Sequence, residues 1–209
     1  MKKRYTQLRR RFLLWVMDTR MYSYLLRHVL PKVRFTTTHG GIGGRKFWKM
    51  YEQLQPGDIV LSKDSKKLTT MLIPGVWSHA AVCVSKNKNF EIAEMVSTGY
   101  KQTTFMDFCA EATRVCIIRG KKFDKYYVRT FINNTLSYRG TPYDQKFKIG
   151  VGALSCSELV YMADSEKRLE CSLEDIAGIG RPYISPTGIY HSEVEAISDS
   201  DAICGIIVG

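Results

Sequence analysis

Two apolar runs, His79–Ser85 and Phe90–Met95, are separated by the polar, turn-forming Lys86-Asn87-Lys88-Asn89. Short apolar runs flanking a turn favour two strands of a β-hairpin over one helix. An antiparallel sheet is therefore the element around which this chain must be organised. Gln55-Pro56-Gly57-Asp58 is a turn signal that leads into a strand at Ile59-Val60-Leu61, and Val115–Arg119 supplies a further strand.

Helical signals surround these strands. A short helix is expected from Lys46 to Leu54, and another from Thr104 to Ala112, opened by a Thr-x-x-Asp capping box at Thr104 and Asp107. Tyr127, Val128, Phe131, Ile132 and Leu136 recur at helical spacing within Phe123–Tyr138, and Gly140 and Pro142 end that segment. Antiparallel strands followed by helices indicate the α+β class. The chain has 209 residues, 44% hydrophobic and 24% charged, which suits one core domain and excludes a disordered chain or a membrane-embedded bundle. That domain is expected over residues 45–209. Residues 1–44 form an arm closed by Gly40-Gly41-Ile42-Gly43-Gly44, read as a linker. Neither a preceding strand nor a following Lys-Ser/Thr supports a phosphate loop there.

The net charge of +11 implies an anionic partner. Met1–Leu30 interleaves arginines and lysines with Phe12–Met17 and Tyr22–Leu26, a basic and apolar segment expected to be helical. Its longest apolar run stops at Asp18, far short of the ~20 residues that cross a bilayer. It also lacks the uncharged core and cleavage site of a secretory signal. Two readings stand side by side: an amphipathic helix binding an anionic membrane through residues 1–39, or a helix packed on the main domain with a solvated basic face. Nucleic acid is disfavoured because no nucleic-acid-binding motif accompanies the charge. The apolar end, Ile203–Gly209, has no assigned role.

Six cysteines contain no C-x-x-C pair and no metal-ligand spacing, so neither a metal site nor a cofactor is expected. Several sit inside apolar runs, as reduced thiols of a cytoplasmic protein do. Cys156 differs, because it stands where a loop containing Gly150 and Gly152 meets the helix-like Ser157–Tyr161. A helix N-terminus favours a thiolate, yet a lone cysteine there reads more readily as a core thiol. A nucleophile needs a base, and the base needs an orienting group. Of the four histidines, His28 and His39 lie in the arm and linker and His191 in a Pro/Gly-punctuated tail. His79 opens a strand at a sheet rim, where a scaffold can hold a side chain rigidly. Two acids follow on the next strand, Glu91 and Glu94, and alternation alone does not choose between them.

Five blocks taken together carry a resemblance: Leu54–Leu61, Trp77–Val82, Ile92-Ala93-Glu94, Gly140–Asp144 and Ser155–Tyr161. In this order, histidine before cysteine, they resemble the YiiX-like hydrolases, a circularly permuted branch of the NlpC-type papain-like superfamily related to the lecithin:retinol acyltransferases. The resemblance spans roughly residues 46 to 190 and leaves the arm outside. It implies an antiparallel sheet packed against helices, with Cys156 as nucleophile, His79 as base and Glu94 as orienting acid. Ser78, Ser155 and Tyr143 are the expected substrate-binding residues. Met95 departs from the pattern, standing where a small residue is usual. The implied activity is cysteine-dependent acyl hydrolysis or transfer, with an amide such as a cell-wall-type peptide or amino-acid amide as substrate. The alternatives are a lipid acyltransferase or thioesterase at a membrane surface, and a non-enzymatic basic protein binding membrane or nucleic acid. A cytoplasmic protein peripheral to a membrane is the expected setting.

Overall fold

The computed structural model describes residues 12, 15–16, 19–25, 29, 41–64, 75–87, 91–145, 149–150, 152–175 and 182–200. Six strands form one antiparallel sheet in the order β4-β3-β2-β1-β5-β8. They are β1 (Ile59–Lys63), β2 (His79–Cys83), β3 (Ile92–Val96), β4 (Gly99–Thr103), β5 (Arg114–Gly120) and β8 (Val194–Asp199). Two short strands, β6 (Glu174–Asp175) and β7 (Pro182–Tyr183), pair separately. The described helices are α1 (Arg20–Tyr24), α2 (Gly44–Gln53), α3 (Phe105–Ala110), α4 (Lys125–Ser137), α5 (Cys156–Ala163) and α6 (Pro186–Tyr190).

Alternation along the strands divides the core into two layers. Ile59, Leu61, Ala80 and Val82 face α4 and α5, where they meet Tyr127, Phe131 and Val160. Val60, Ala81, Cys83 and Ile92 face the other way, against Phe47 and Met50 of α2 and Phe105 and Phe108 of α3. Central strands buried on both faces explain why β1 and β2 read as nearly continuous apolar runs. The expected β2–β3 hairpin is present, with Ala81 opposite Glu94 and Cys83 opposite Ile92.

The turn before β1 follows from its residues. Asp58 N–H donates to the Gln55 carbonyl at 3.0 Å, closing a turn with Pro56 and Gly57 at its centre. Gly57 adopts φ +94°, open to glycine without strain, and a Cβ there would lie 2.7 Å from a methyl of Val128. Asp58 is buried and holds Arg119 through two bonds of 2.6 and 2.8 Å, which ties the start of β1 to β5.

The helix expected at 46–54 starts earlier, at Gly44 with Gly43 as its cap. The described part of the glycine-rich segment is docked. Ile42 N–H donates to the Cys109 carbonyl at 3.0 Å, and Gly41 lies so close to α3 that a Cβ would sit 2.6 Å from the Ala110 oxygen. Most of the basic arm lies outside the described residues, as do Pro31, His28, His39 and Ile203–Gly209. Within it α1 is helical, with the Thr19 hydroxyl accepting from Tyr22 N–H at 3.2 Å. No described helix is long and apolar enough to cross a membrane.

Candidate active site

His79 is the first residue of β2, opposite Ser62 at the end of β1. The residues just before it are clamped. Trp77 N–H donates to Thr187 Oγ1 of α6 at 3.1 Å, and Ser78 N–H donates to the Ser62 carbonyl at 3.1 Å. With the backbone held on both sides, the imidazole leaves the sheet in one direction. His79 and Ala81 share a face, and Ala81 stands opposite Glu94, so the acid of β3 and the histidine of β2 converge. His79 Nε2 lies 2.8 Å from Glu94 Oε2, with the histidine side chain 24% exposed and the glutamate 8%. One flat side of the imidazole stacks on Phe108 of α3, with ring centroids 5.9 Å apart and planes at 29°.

Cys156 arrives from the other side of the sheet as the first residue of α5. Ser155 caps that helix: its hydroxyl accepts from Glu158 N–H, while Glu158 Oε2 accepts from Ser155 N–H at 2.7 Å. This Ser-x-x-Glu capping box is a signal for the start of α5 that the sequence carries in its spacing alone. It sets the position at which α5 begins. The thiol is 6% exposed, with Met95, Leu154 and Leu159 packed around it. Met95, the departure from the family pattern, therefore underlies the thiol and points away from the pocket of Glu94.

Electrostatics tie the two groups together. Burial pushes the Cys156 thiol up, but the His79 charge, its hydrogen bond and the N–H groups of Ala80 and Ser157 outweigh it and leave the thiol below its ordinary value. For His79 burial acts downward. The Cys156 charge and hydrogen bond, then the hydrogen bond and charge of Glu94, lift it from 6.5 to about 10. The site thus favours a thiolate beside an imidazolium, with Nε2 committed to Glu94 and the other ring nitrogen left for sulfur.

A folded-state pKa above the unfolded value means that this proton stabilises the fold fully below about pH 6.5, and that its contribution is lost as pH rises through about 10. Because Glu94 is one of the groups raising it, Glu94→Gln is expected to move the His79 titration to lower pH, measured on its ring Cε1–H resonance. An unmoved midpoint would contradict the coupling.

The two acids separate clearly. Glu91 precedes β3 and turns its carboxylate toward the helices, accepting from Tyr51 O–H at 2.7 Å and from Phe105 N–H at 2.8 Å. It anchors α2 to α3, and α3 carries the Phe108 ring under the imidazole. Nothing in the local sequence marks Phe108 for that contact.

Of the expected substrate-binding residues, Ser78 and Ser155 are both buried with hydroxyls engaged in the scaffold. Ser78 donates to the Ser62 carbonyl at 3.4 Å, and Ser155 serves the α5 cap. Tyr143 is partly buried in the cluster that surrounds Cys156. Its loop is held by Asp144 N–H to the Leu154 carbonyl at 2.9 Å and Leu154 N–H to the Pro142 carbonyl at 3.1 Å. Burial, then the neighbouring Cys156 charge, keeps the Tyr143 phenol well above its usual range, so it stays a hydrogen-bond donor. Among the described residues no group of three His, Cys, Asp or Glu is arranged to hold a metal ion.

The family model of the permuted papain-like amidase enzymes, YaeF/YiiX, C92 family, matches residues 53–172, a span that includes His79, Glu94 and Cys156. The crystal structure of metalloprotein YiiX from Escherichia coli O157:H7 is similar with a TM-score of 0.59 at 18% identity, covering 70% of this chain and 97% of that one. At that identity the likeness bears on the fold alone. Comparison with curated proteins found no match.

Proposed function

This chain belongs to the C92 family of permuted papain-like amidases and is a cysteine-type hydrolase; from that premise we propose that Cys156, His79 and Glu94 perform acyl transfer from an amide. The Cys156 thiolate attacks the carbonyl carbon, forming a carbon–sulfur bond and a tetrahedral oxyanion. Collapse breaks the carbon–nitrogen bond as the imidazolium of His79 gives its proton to the departing amine. A thioester is left on Cys156. Water then attacks it, His79 takes the water proton, and the carboxylic acid and thiolate are released. Glu94 fixes the tautomer and orientation of the ring throughout.

The oxyanion forms next to the Cys156 backbone N–H. As the first residue of α5, this N–H is not used by the helix's own ladder, and it meets the developing charge without reorganisation. Tyr143, held beside the sulfur with its proton retained, is a second donor for the substrate carbonyl. The observation that carries this reading is the 2.8 Å His79–Glu94 bond next to a thiol whose pKa is lowered by that same histidine.

The similar YiiX structure is described as that of a metalloprotein. Here Cys156, His79 and Glu94 engage one another, and the described residues offer no three-ligand group, so no step is routed through a metal. Membership of an amidase family also sets aside the non-enzymatic alternative.

The test is a panel of acyl-amides and acyl-esters, with intact-mass detection of an acyl adduct on Cys156. Amide turnover with a transient adduct is expected. Turnover of esters alone would shift the activity to the lipid-ester alternative, and substrate loss with an adduct on another cysteine would overturn the assignment.

A further inference from the structure

Charge in this chain is distributed unevenly. Residues 1–34 hold ten of its 31 Lys and Arg and a single acid, Asp18, whereas residues 35–209 carry 21 cations against 19 acids. The folded body is thus close to neutral, and nearly the whole net charge of +11 belongs to the arm. The same arm exposes apolar side chains. Phe12, Trp15, Met21, Tyr24, Leu25 and Val29 are each between 37% and 70% exposed.

The first helix of the folded domain carries the same combination of exposed aromatic and cationic side chains. On α2 the inward face is Phe47 and Met50, and the opposite face presents Arg45, Trp48 and Lys49, spaced so that all three point outward. Trp48 is 57% exposed although its ring touches Phe47 and Tyr51. Met106, next to the Phe105 on which Phe47 stacks, is 58% exposed.

We propose that this protein docks on an anionic bilayer surface through its N-terminal arm and the outward face of α2. Two exposed tryptophans flanked by lysine and arginine match the two demands of a lipid interface. Their amphipathic rings sit at headgroup level, and each nearby cation gains from the negative surface potential. Duplex nucleic acid would neutralise the arginines but leave Met21, Leu25 and Val29 in water, so a polyanion without an apolar layer fits worse. The docking also concerns the active site. α2 packs through Phe47 on Phe105 of α3, the helix whose Phe108 stacks on the His79 imidazole, so the proposed docking face is one helix removed from the active site. A surface-held enzyme would meet its acyl substrate there, although docking itself does not depend on the acyl-transfer reading.

The experiment is co-sedimentation of the full chain with vesicles of phosphatidylcholine alone and of phosphatidylcholine with phosphatidylglycerol, followed by tryptophan fluorescence. Binding is expected only to the anionic vesicles, weakening at high salt, with a blue shift of the emission. Trp77 is 1% exposed and serves as an internal reference. The double variant Trp15→Ala, Trp48→Ala should bind at least severalfold less and lose the blue shift, while circular dichroism stays unchanged. Cys156→Ala should bind as well as the native chain, which separates docking from catalysis. Equal binding to neutral vesicles, no binding to either, full binding by the double variant, or displacement from anionic vesicles by duplex DNA would each overturn the proposal.

Discussion

Cys156→Ala is expected to lower kcat/KM for the best amide of the panel by on the order of 10⁴-fold or more, and to remove the acyl adduct from the mass spectrum. No other described group can replace the sulfur. Cys83, Cys109 and Cys116 are buried in the core, and burial pushes the Cys83 and Cys109 thiols up to about 12; Cys171 is only partly buried, but burial raises its thiol too, which keeps it protonated at neutral pH. The structural cost is small. One sulfur atom leaves a cluster of Met95, Leu154 and Leu159, a loss of about 1 kcal/mol, and the fold survives to be assayed. Activity within tenfold of the native enzyme in the alanine variant would place the nucleophile elsewhere.

Removing the base should act on two measurements at once. His79→Asn is expected to reduce turnover by roughly 10³-fold, the middle of the range for losing a general acid–base group. It should also change the sulfur. Burial is the largest influence on the Cys156 thiol and is opposed chiefly by the His79 charge. Without the imidazolium the thiol pKa should rise, so alkylation of Cys156 by iodoacetamide at neutral pH should slow markedly and recover as the pH is raised. An alkylation profile that matches the native protein would show that the thiolate does not depend on His79. The paired readouts matter, since a variant that merely misfolds would expose the thiol and speed its alkylation.

Much of the sheet is legible in the sequence. The β2–β3 hairpin, the Pro56-Gly57 turn and the Thr104 cap each depend on residues within a few positions of one another, and each is present, although the expected capping box is only half made, since Asp107 accepts from the Thr104 hydroxyl and not from its backbone N–H. β4 and β8 were not anticipated. They are the two edges of the sheet, where one side of the backbone meets solvent and little apolar alternation is needed. Gly99–Thr103 buries only its ends, and Val194–Asp199 only its first residue, so neither carries the signature of a central strand.

Sequence by itself determined the parts list: a cysteine at a capped helix start, a histidine at a strand start, two acids on the following strand, and a block order that matches the permuted family. These are local properties, set by spacing, turn chemistry and the period of two. Alternation along the strand leaves the choice between the two acids open, the family resemblance points to Glu94, and the tertiary structure supplies the physical reason. Glu94 reaches His79 because the register sets it opposite Ala81, whereas Glu91, three residues earlier, is drawn to Tyr51 and the start of α3. Phe108 lies under the imidazole for the same reason, since contact between residues 79 and 108 is a consequence of helix α3 packing on the sheet. The character of Cys156 depends on a histidine 77 positions away in the chain. A thiolate in a nearly buried site exists only where packing delivers the compensating charge, and packing is a property of the whole fold.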